Sequence, residues 1–285
     1  MKIFALKSNF INSLSGLYPS EEIESFFSIL AQEYLKLSRI EIVLNREEVV
    51  SSENIEKIDN ALIRLKSFEP IQYIIGETEF FGIPFRVTPS TLIPRPETEE
   101  LVQLILDEVS NVDAKTEALD LLDIGTGSGC IAISLAKSLP KANVSAMDIS
   151  SEALKVAKEN AEINQVYIDF SECDILTTKS LPKKYDIIVS NPPYVRELEK
   201  EMMQPNVLRH EPDLALFVKD SDPLLFYRKI SILAKTHLKP NGQLFFEINE
   251  YLGVDLIELL SDLGFQKIEI IKDIFEKDRM LKCSL

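Results

Sequence analysis

From residue 100 onward, short apolar runs alternate with stretches of helical period, and this alternation restricts the possible folds more than any other feature. The runs are Leu121–Ile124, Val144–Asp148, Tyr167–Phe170, Asp186–Ser190, Gln243–Ile248, Lys267–Ile271 and Met280–Ser284. Between two of them, 150-SSEALKVAKENAEIN-164 puts Ala153, Val156, Ala157 and Ala161 on one helical face, with Ser150 placed to cap it. Strand, helix, strand repetition builds a parallel sheet covered by helices on both faces. The last two runs are joined only by 272-KDIFEKDR-279, too short for a parallel crossover, so one strand must run antiparallel. The expectation is an α/β fold with a seven-stranded, mostly parallel sheet.

Residues 1–75 have a different pattern. Ser20 precedes Glu21-Glu22 as a candidate N-cap, and Ile23, Phe26, Phe27, Leu30, Tyr34 and Leu37 follow at helical spacing. A second helix is predicted from about Ser51, with Ile55, Ile58, Leu62 and Leu65 on one face. A small all-α domain accounts for these stripes. The segment 76–99 is rich in Gly, Pro, Thr and aromatics, with β-like pieces at Glu79–Phe81 and Phe85–Val87, and is predicted as a β-hairpin linker. The domains expected are therefore 1–75, the linker 76–99, and 100–285.

Two motifs carry chemistry. The first, 120-DLLDIGTGSGCIAISLAKSL-139, is a strand, a glycine turn and a helix, with the loop Gly125, Thr126, Gly127, Ser128, Gly129. Cys130 stands where a dinucleotide fingerprint needs its third glycine, and no Gly-Lys-Ser/Thr ending is present, so phosphate is not the obvious ligand. The glycines still let the backbone approach a ligand closely. Asp148, ending the next strand, can accept both hydroxyls of a ribose. Asp174, after the third strand, can accept from an adenine amino group. Together these suit a nucleoside without a phosphate chain, and S-adenosylmethionine (AdoMet) is such a ligand.

The second motif is Asn191-Pro192-Pro193-Tyr194, directly after an apolar strand that the prolines must end. A planar NH2, on an amide or a nucleobase, is a poor nucleophile because its lone pair is delocalised. The Asn191 side-chain oxygen and the Pro192 carbonyl can each accept one N–H of such a group. The prolines fix the backbone, and Tyr194 offers a flat face for stacking. Catalysis of this kind is positioning, and the proton can leave after transfer. It suits a chain with only two histidines, His210 and His237, and three cysteines without C-x-x-C spacing, in which neither a metal site nor a Ser-His-Asp triad is expected.

A net charge of −15 argues against broad contact with a phosphate backbone, so no direct nucleic-acid binding is expected. No run of 18 apolar residues is present, and the N-terminus has no long apolar region followed by a small-residue cleavage site. The expectation is a cytoplasmic protein without a membrane span or signal peptide.

With these motifs in place, the sequence resembles the class I (Rossmann-like) AdoMet-dependent methyltransferases that carry N-P-P-Y, and more narrowly the HemK/PrmC family of protein-(glutamine-N5) methyltransferases. The likeness runs through 69-EPIQYIIGETEFFGIPF-85, 92-LIPRPETEELV-102, 121-LLDIGTGSGCIAISLA-136, 187-IIVSNPPYV-195, 209-RHEPDLAL-216 and 273-DIFEKDRM-280. The resemblance implies AdoMet on Gly125 to Gly129, Asp148, Asp174, Ile175 and Asn191. It implies the substrate glutamine, that of the Gly-Gly-Gln motif of a peptide-chain release factor, on Asn191, Pro192, Pro193 and Tyr194. The helical domain would help hold the release factor. Ile175 departs from the aromatic residue that relatives often carry there, so adenine packing would be aliphatic. For Arg95 and Glu97 a salt-bridged hairpin base and a contact to the substrate both stand open, and the Glu211-Pro212 pair is expected to support loop structure. The alternatives are a ribosomal-protein glutamine as substrate, adenine-N6 or guanine-N2 methylation of nucleic acid, and a non-catalytic AdoMet- or partner-binding module.

Overall fold

The computed structural model describes residues 1–111 and 118–285. The chain divides into two compact units, Met1–Gly76 with Gln204–His210, and Glu77–Met203 with Glu211–Leu285.

The first unit opens with α1 (Ile3–Leu14), α2 (Ser20–Leu30), α3 (Arg39–Leu44), α4 (Ser52–Lys66) and α5 (Ile71–Ile75). Its core joins Leu6, Phe10 and Leu14 of α1 to Ile23, Phe27 and Leu30 of α2 and to Ile58 and Leu65 of α4. The Phe10 and Phe27 rings meet edge to face at 5.5 Å. Fully burying one such phenylalanine stabilises the unit by about 1.5–3 kcal/mol. α4 starts where the sequence indicated, and Ser51 caps it by accepting from the Asn54 amide at 3.3 Å. Ser20 does not act as a cap. Pro19 holds that position with φ −58° and ψ 147°, and its fixed ring torsion starts the helix one residue earlier. Tyr34 and Leu37 pack against this core as the stripe required, but the regular helix ends before them, because α2 widens into a π-turn at Ala31–Leu35 and Lys36 turns left-handed at φ 57°. Arg64 joins α4 to α5, pairing with Glu69 and donating to the Tyr73 and Ile74 carbonyls at 3.1 and 3.2 Å.

The second unit begins with the hairpin β1 (Glu77–Phe80) and β2 (Ile83–Arg86), then α6 (Pro96–Asn111), β3 (Asp120–Ile124), α7 (Cys130–Ser138), β4 (Asn143–Asp148), α8 (Ser151–Ile163), β5 (Asp169–Glu172) and β6 (Tyr185–Ser190). A short strand β7 (Val195–Arg196) precedes α9 (Pro205–His210), which belongs to the first unit. Then come α10 (Asp213–Leu216), β8 (Phe217–Val218), α11 (Leu225–His237), β9 (Leu238–Glu247), α12 (Gly253–Asp262), β10 (Gln266–Lys272) and β11 (Asp278–Ser284).

The main sheet has seven strands in the order β10-β11-β9-β6-β3-β4-β5. β11 is antiparallel to both of its neighbours, and the pairs from β9 to β5 are parallel, as the short final connection required. Successive residues of the central strands enter opposite cores. Leu122, Ile188, Leu244 and Phe246 pack with α11 and α12, whereas Leu121, Ile187, Val189 and Phe245 pack with α6 and α7. Continuous apolar runs are the signature of a sheet buried on both faces. β5 lies two residues later than the Tyr167–Phe170 expectation. It is the edge strand, and the Tyr167 side chain is 88% exposed, so burial did not set its pattern.

At the amino ends of the strands, Asp120 accepts from Lys183 Nζ at 2.5 Å and Lys239 Nζ at 2.7 Å. Burial opposes its charge, but the two lysines outweigh that and hold its carboxyl at about 2. A carboxyl lowered from 3.8 stabilises the fold above its ordinary value, and that contribution is lost as pH falls towards 2. Asp120→Asn is expected to cost about 1 kcal/mol at neutral pH, after screening at the partly exposed lysines, and to flatten the loss of stability between pH 4 and 2. Denaturant titrations at several pH values check this.

Candidate functional site

The chain runs β3, β4, β5 towards one edge of the sheet, then returns to place β6 on the other side of β3. Such a reversal opens a crevice at the carboxyl ends of the strands, where open α/β sheets bind ligands. The register aligns these ends: Ile124 pairs with both Met147 and Ser190, and Asp148 pairs with Glu172. Four loops therefore emerge side by side.

A cavity of about 320 Å³ lies there. Of the residues selected from the sequence, Gly125, Gly127, Asp148, Asp174, Ile175, Asn191, Pro192 and Pro193 line it. Thr126, Ser128, Gly129 and Tyr194 are not among its lining residues. Thr126 is buried and donates from its hydroxyl to Asp123 Oδ2 at 2.6 Å, and the Ser128 carbonyl accepts from Asn160 Nδ2 at 2.9 Å. These contacts hold the loop from behind.

Glycine is needed here for stated reasons. Gly125 and Gly127 have φ of 75° and 56°, and a Cβ at either would meet no heavy atom of the protein within 4 Å, so their backbone faces open space. Gly129, φ 84°, faces inward, where a Cβ would lie 2.9 Å from Ile133 Cδ1 and 3.2 Å from Ala157 Cβ. Gly129→Ala is expected to destabilise by about 2 kcal/mol or more, from left-handed backbone plus overpacking, and a urea titration followed by circular dichroism checks it.

Asp148 anchors the loop. Its two oxygens accept from the Gly127 amide at 2.8 Å and the Ser150 amide at 2.9 Å. Desolvation raises its pKa, and the bonds from Ser150, Gly127 and Ile149 work in the opposite direction. Ser150 also caps α8 through the Ala153 amide at 3.1 Å. Asp174 makes a tight turn, its Oδ1 accepting from the Leu176 amide at 2.9 Å. Beneath them Asp123 is buried, and burial, with Asp148 adding to it, pushes its carboxyl up to about 7. Its Oδ1 has no hydrogen-bond partner among the described residues.

Asn191 follows β6 directly. Its Nδ2 donates to the Thr98 hydroxyl at 3.3 Å, and the Tyr194 hydroxyl donates to Glu247 Oε1 at 2.9 Å. Asn249 donates to the Tyr194 carbonyl at 3.2 Å and to Glu199 at 3.1 Å, fixing the backbone after the motif.

The sequence did not mark several lining residues, among them Ser90, Thr91, Leu92, Leu214 and Phe226. Ser90 to Leu92 lie in the linker, where only Gly and Pro content was informative. Arg95 and Glu211 prove to be partners: Arg95 Nη2 lies 2.6 Å from Glu211 Oε1, and the Ile93 amide donates to Glu211 Oε2 at 3.2 Å. That buried carboxylate ties the linker's exit to Pro212, another lining residue.

A seven-stranded sheet with this order, and a cavity at the glycine loop beside Asn-Pro-Pro-Tyr, define a class I methyltransferase fold. Residues 102–212 match the methyltransferase small domain and residues 9–76 match the PrmC N-terminal domain. The release factor glutamine methyltransferase of Flavobacterium psychrophilum is 50% identical over 99% of this chain and 99% of its own. That of Bacteroides thetaiotaomicron is 47% identical over 94% and 95%. A Thermus thermophilus 16S rRNA N2 methyltransferase, solved with AdoMet and guanosine, shares the fold at 18% identity and a TM-score of 0.53, over 73% of this chain and 49% of its own. The chain belongs to the release factor glutamine methyltransferase family.

Proposed function

We propose that the protein transfers a methyl group from AdoMet to the side-chain amide nitrogen (N5) of the glutamine in the Gly-Gly-Gln motif of a peptide-chain release factor. Full-length similarity to relatives that carry this activity in their names supports the reaction and the substrate. The observation that carries the chemistry is the Asn191-Pro192-Pro193 turn in the wall of the glycine-loop cavity.

The residues present fit AdoMet. Gly125 and Gly127 present bare backbone to the cavity, and Asp148, which lines the cavity while its oxygens accept from backbone amides, retains lone pairs for two ribose hydroxyls. Asp174 would accept from the adenine amino group, and Ile175 would supply an aliphatic wall. AdoMet, when bound, supplies an electrophilic methyl group. The chain's part is to hold the glutamine amide. Asn191 Oδ1 and the Pro192 carbonyl would each accept one amide N–H, turning the nitrogen lone pair out of conjugation and towards the methyl. The proton leaves to water after transfer, so no base need act first. Tyr194 stiffens the turn through its hydroxyl bond to Glu247.

The first unit, and the hairpin that follows it, would hold the release factor. Nucleic acid is not expected as a direct partner of a chain with net charge −15. Among the described residues no helix is long and apolar enough to cross a membrane, and the proposed substrate places the activity in the cytoplasm.

The test is a transfer assay with labelled AdoMet, offering release factors, ribosomal proteins and duplex DNA in parallel, with mass spectrometry to locate the label. Label on the Gly-Gly-Gln glutamine is the expected result. Label confined to a ribosomal protein or to DNA overturns the assigned substrate.

A further inference from the structure

Behind the Asn-Pro-Pro-Tyr turn lies a buried chain of hydrogen bonds that no sequence motif marks. Glu247 ends β9 and is 2% exposed. Its Oε2 accepts from the Thr98 hydroxyl at 2.5 Å, and its Oε1 accepts from the Tyr194 hydroxyl at 2.9 Å. Thr98, in the first turn of α6, is likewise buried, at 2% exposure, and its oxygen accepts from Asn191 Nδ2 at 3.3 Å.

The direction of these bonds matters. An ionised carboxylate only accepts, and a threonine hydroxyl has one proton. Thr98 donates that proton to Glu247, so towards Asn191 it can only accept. Asn191 must then turn its NH2 to Thr98, which leaves Oδ1, not Nδ2, as the atom available to a substrate. An amide can rotate by 180° at almost no steric cost, and a flipped Asn191 would offer donors to a substrate NH2 that is itself only a donor. Burial raises the Glu247 pKa above its ordinary value, and the bonds from the Thr98 and Tyr194 hydroxyls, followed by the Arg279 charge, oppose that rise and support the accepting carboxylate.

We propose that Glu247 and Thr98 are positioning residues that set the polarity of Asn191, so that its carbonyl oxygen faces the substrate amide. This rests on the reading that Asn191 accepts from that amide. Glu247 touches neither substrate nor cofactor; it acts through Thr98 and Asn191.

The test compares Thr98→Val, Thr98→Ser and Glu247→Gln, with thermal melts to confirm folding. Thr98→Val keeps the shape but removes the hydroxyl, and it is expected to lower kcat by about 10–100-fold, the range that a lost buried hydrogen bond produces. Thr98→Ser restores the hydroxyl and is expected to stay within about threefold of the parent. Glu247→Gln gives the site a donor and is expected to lower kcat comparably. In every variant AdoMet affinity stays within about threefold, because none of these groups lines the cavity. Because the residues act as a unit, the Thr98→Val/Glu247→Gln double variant is expected to lose little more than the worse single. Unchanged kcat in Thr98→Val overturns the proposal, as does a serine variant as impaired as the valine. If Glu247→Gln does not fold, the two Thr98 variants decide alone. A parent enzyme that labels no glutamine overturns the functional reading instead, and the two failures are therefore distinguishable.

Discussion

Asn191→Ala is expected to slow methyl transfer by about 10²–10³-fold while leaving AdoMet affinity within about threefold. The expectation follows from where Asn191 sits and from what the reaction needs. An amide nitrogen attacks only when its lone pair is released from conjugation and aimed, and the acceptors that hold its two protons do both. Alanine removes one of two acceptors and leaves the backbone of the turn in place, because Pro192 and Pro193 still fix it. The loss should therefore appear in kcat at saturating AdoMet. Single-turnover kinetics, with a parallel calorimetric titration of AdoMet, separate the two quantities. A fall in affinity as large as the fall in rate would mean that Asn191 is chiefly a cofactor ligand.

Asp148→Ala should give the opposite split. Its carboxylate is assigned two ribose hydroxyls, and a hydrogen bond to a charged group contributes about 1.5–3 kcal/mol, so the AdoMet Kd is expected to rise by about 10²–10³-fold. Part of that change is indirect. Asp148 also accepts from the Gly127 and Ser150 amides, so its removal loosens the glycine loop and the start of α8. Asp148→Asn retains the shape and part of the bonding, and about a tenfold rise is expected from it. At saturating AdoMet the rate of Asp148→Ala should recover much of the parent value. Calorimetry and a rate titration over AdoMet concentration check both variants. An affinity within threefold of the parent would show that the ribose lies elsewhere.

These two residues were legible because their surroundings are local. Asp148 ends an apolar strand, and Asn191 is followed by two prolines, so a few neighbours fix what each side chain faces. The sheet was legible for the same reason, since residues such as Leu121 and Leu122 must both be apolar when both faces are covered. What holds Asn191 in place was not legible. Thr98 is 93 residues from Asn191, and Glu247 is 149 from Thr98. Nothing in the run Pro96-Glu97-Thr98 says that its threonine turns towards the end of a strand far along the chain. The Ser90 to Leu92 wall of the cavity was hidden likewise, because a loop is placed by what it packs on. Ser20 shows a smaller misreading, in which a serine beside acidic residues looks like a cap although the proline before it already sets the turn.

The helix α9 has a consequence for how this architecture can be divided. The chain leaves the first unit at Gly76, returns at Gln204 and departs again after His210. Within that unit the His210 ring lies 3.0 Å from the Ser67 carbonyl, and the Arg209 guanidinium lies over the Phe68 ring at 5.2 Å. The helical part is thus not a bead threaded ahead of an independent enzyme. A cut at Gly76 would strip α9 from one fragment and leave it without its contacts in the other, so neither piece is a natural module. Gene fusions or deletions that exchange the amino-terminal segment must carry residues 204–210 with it. A helical half and an enzymatic half joined in this way would have to change together.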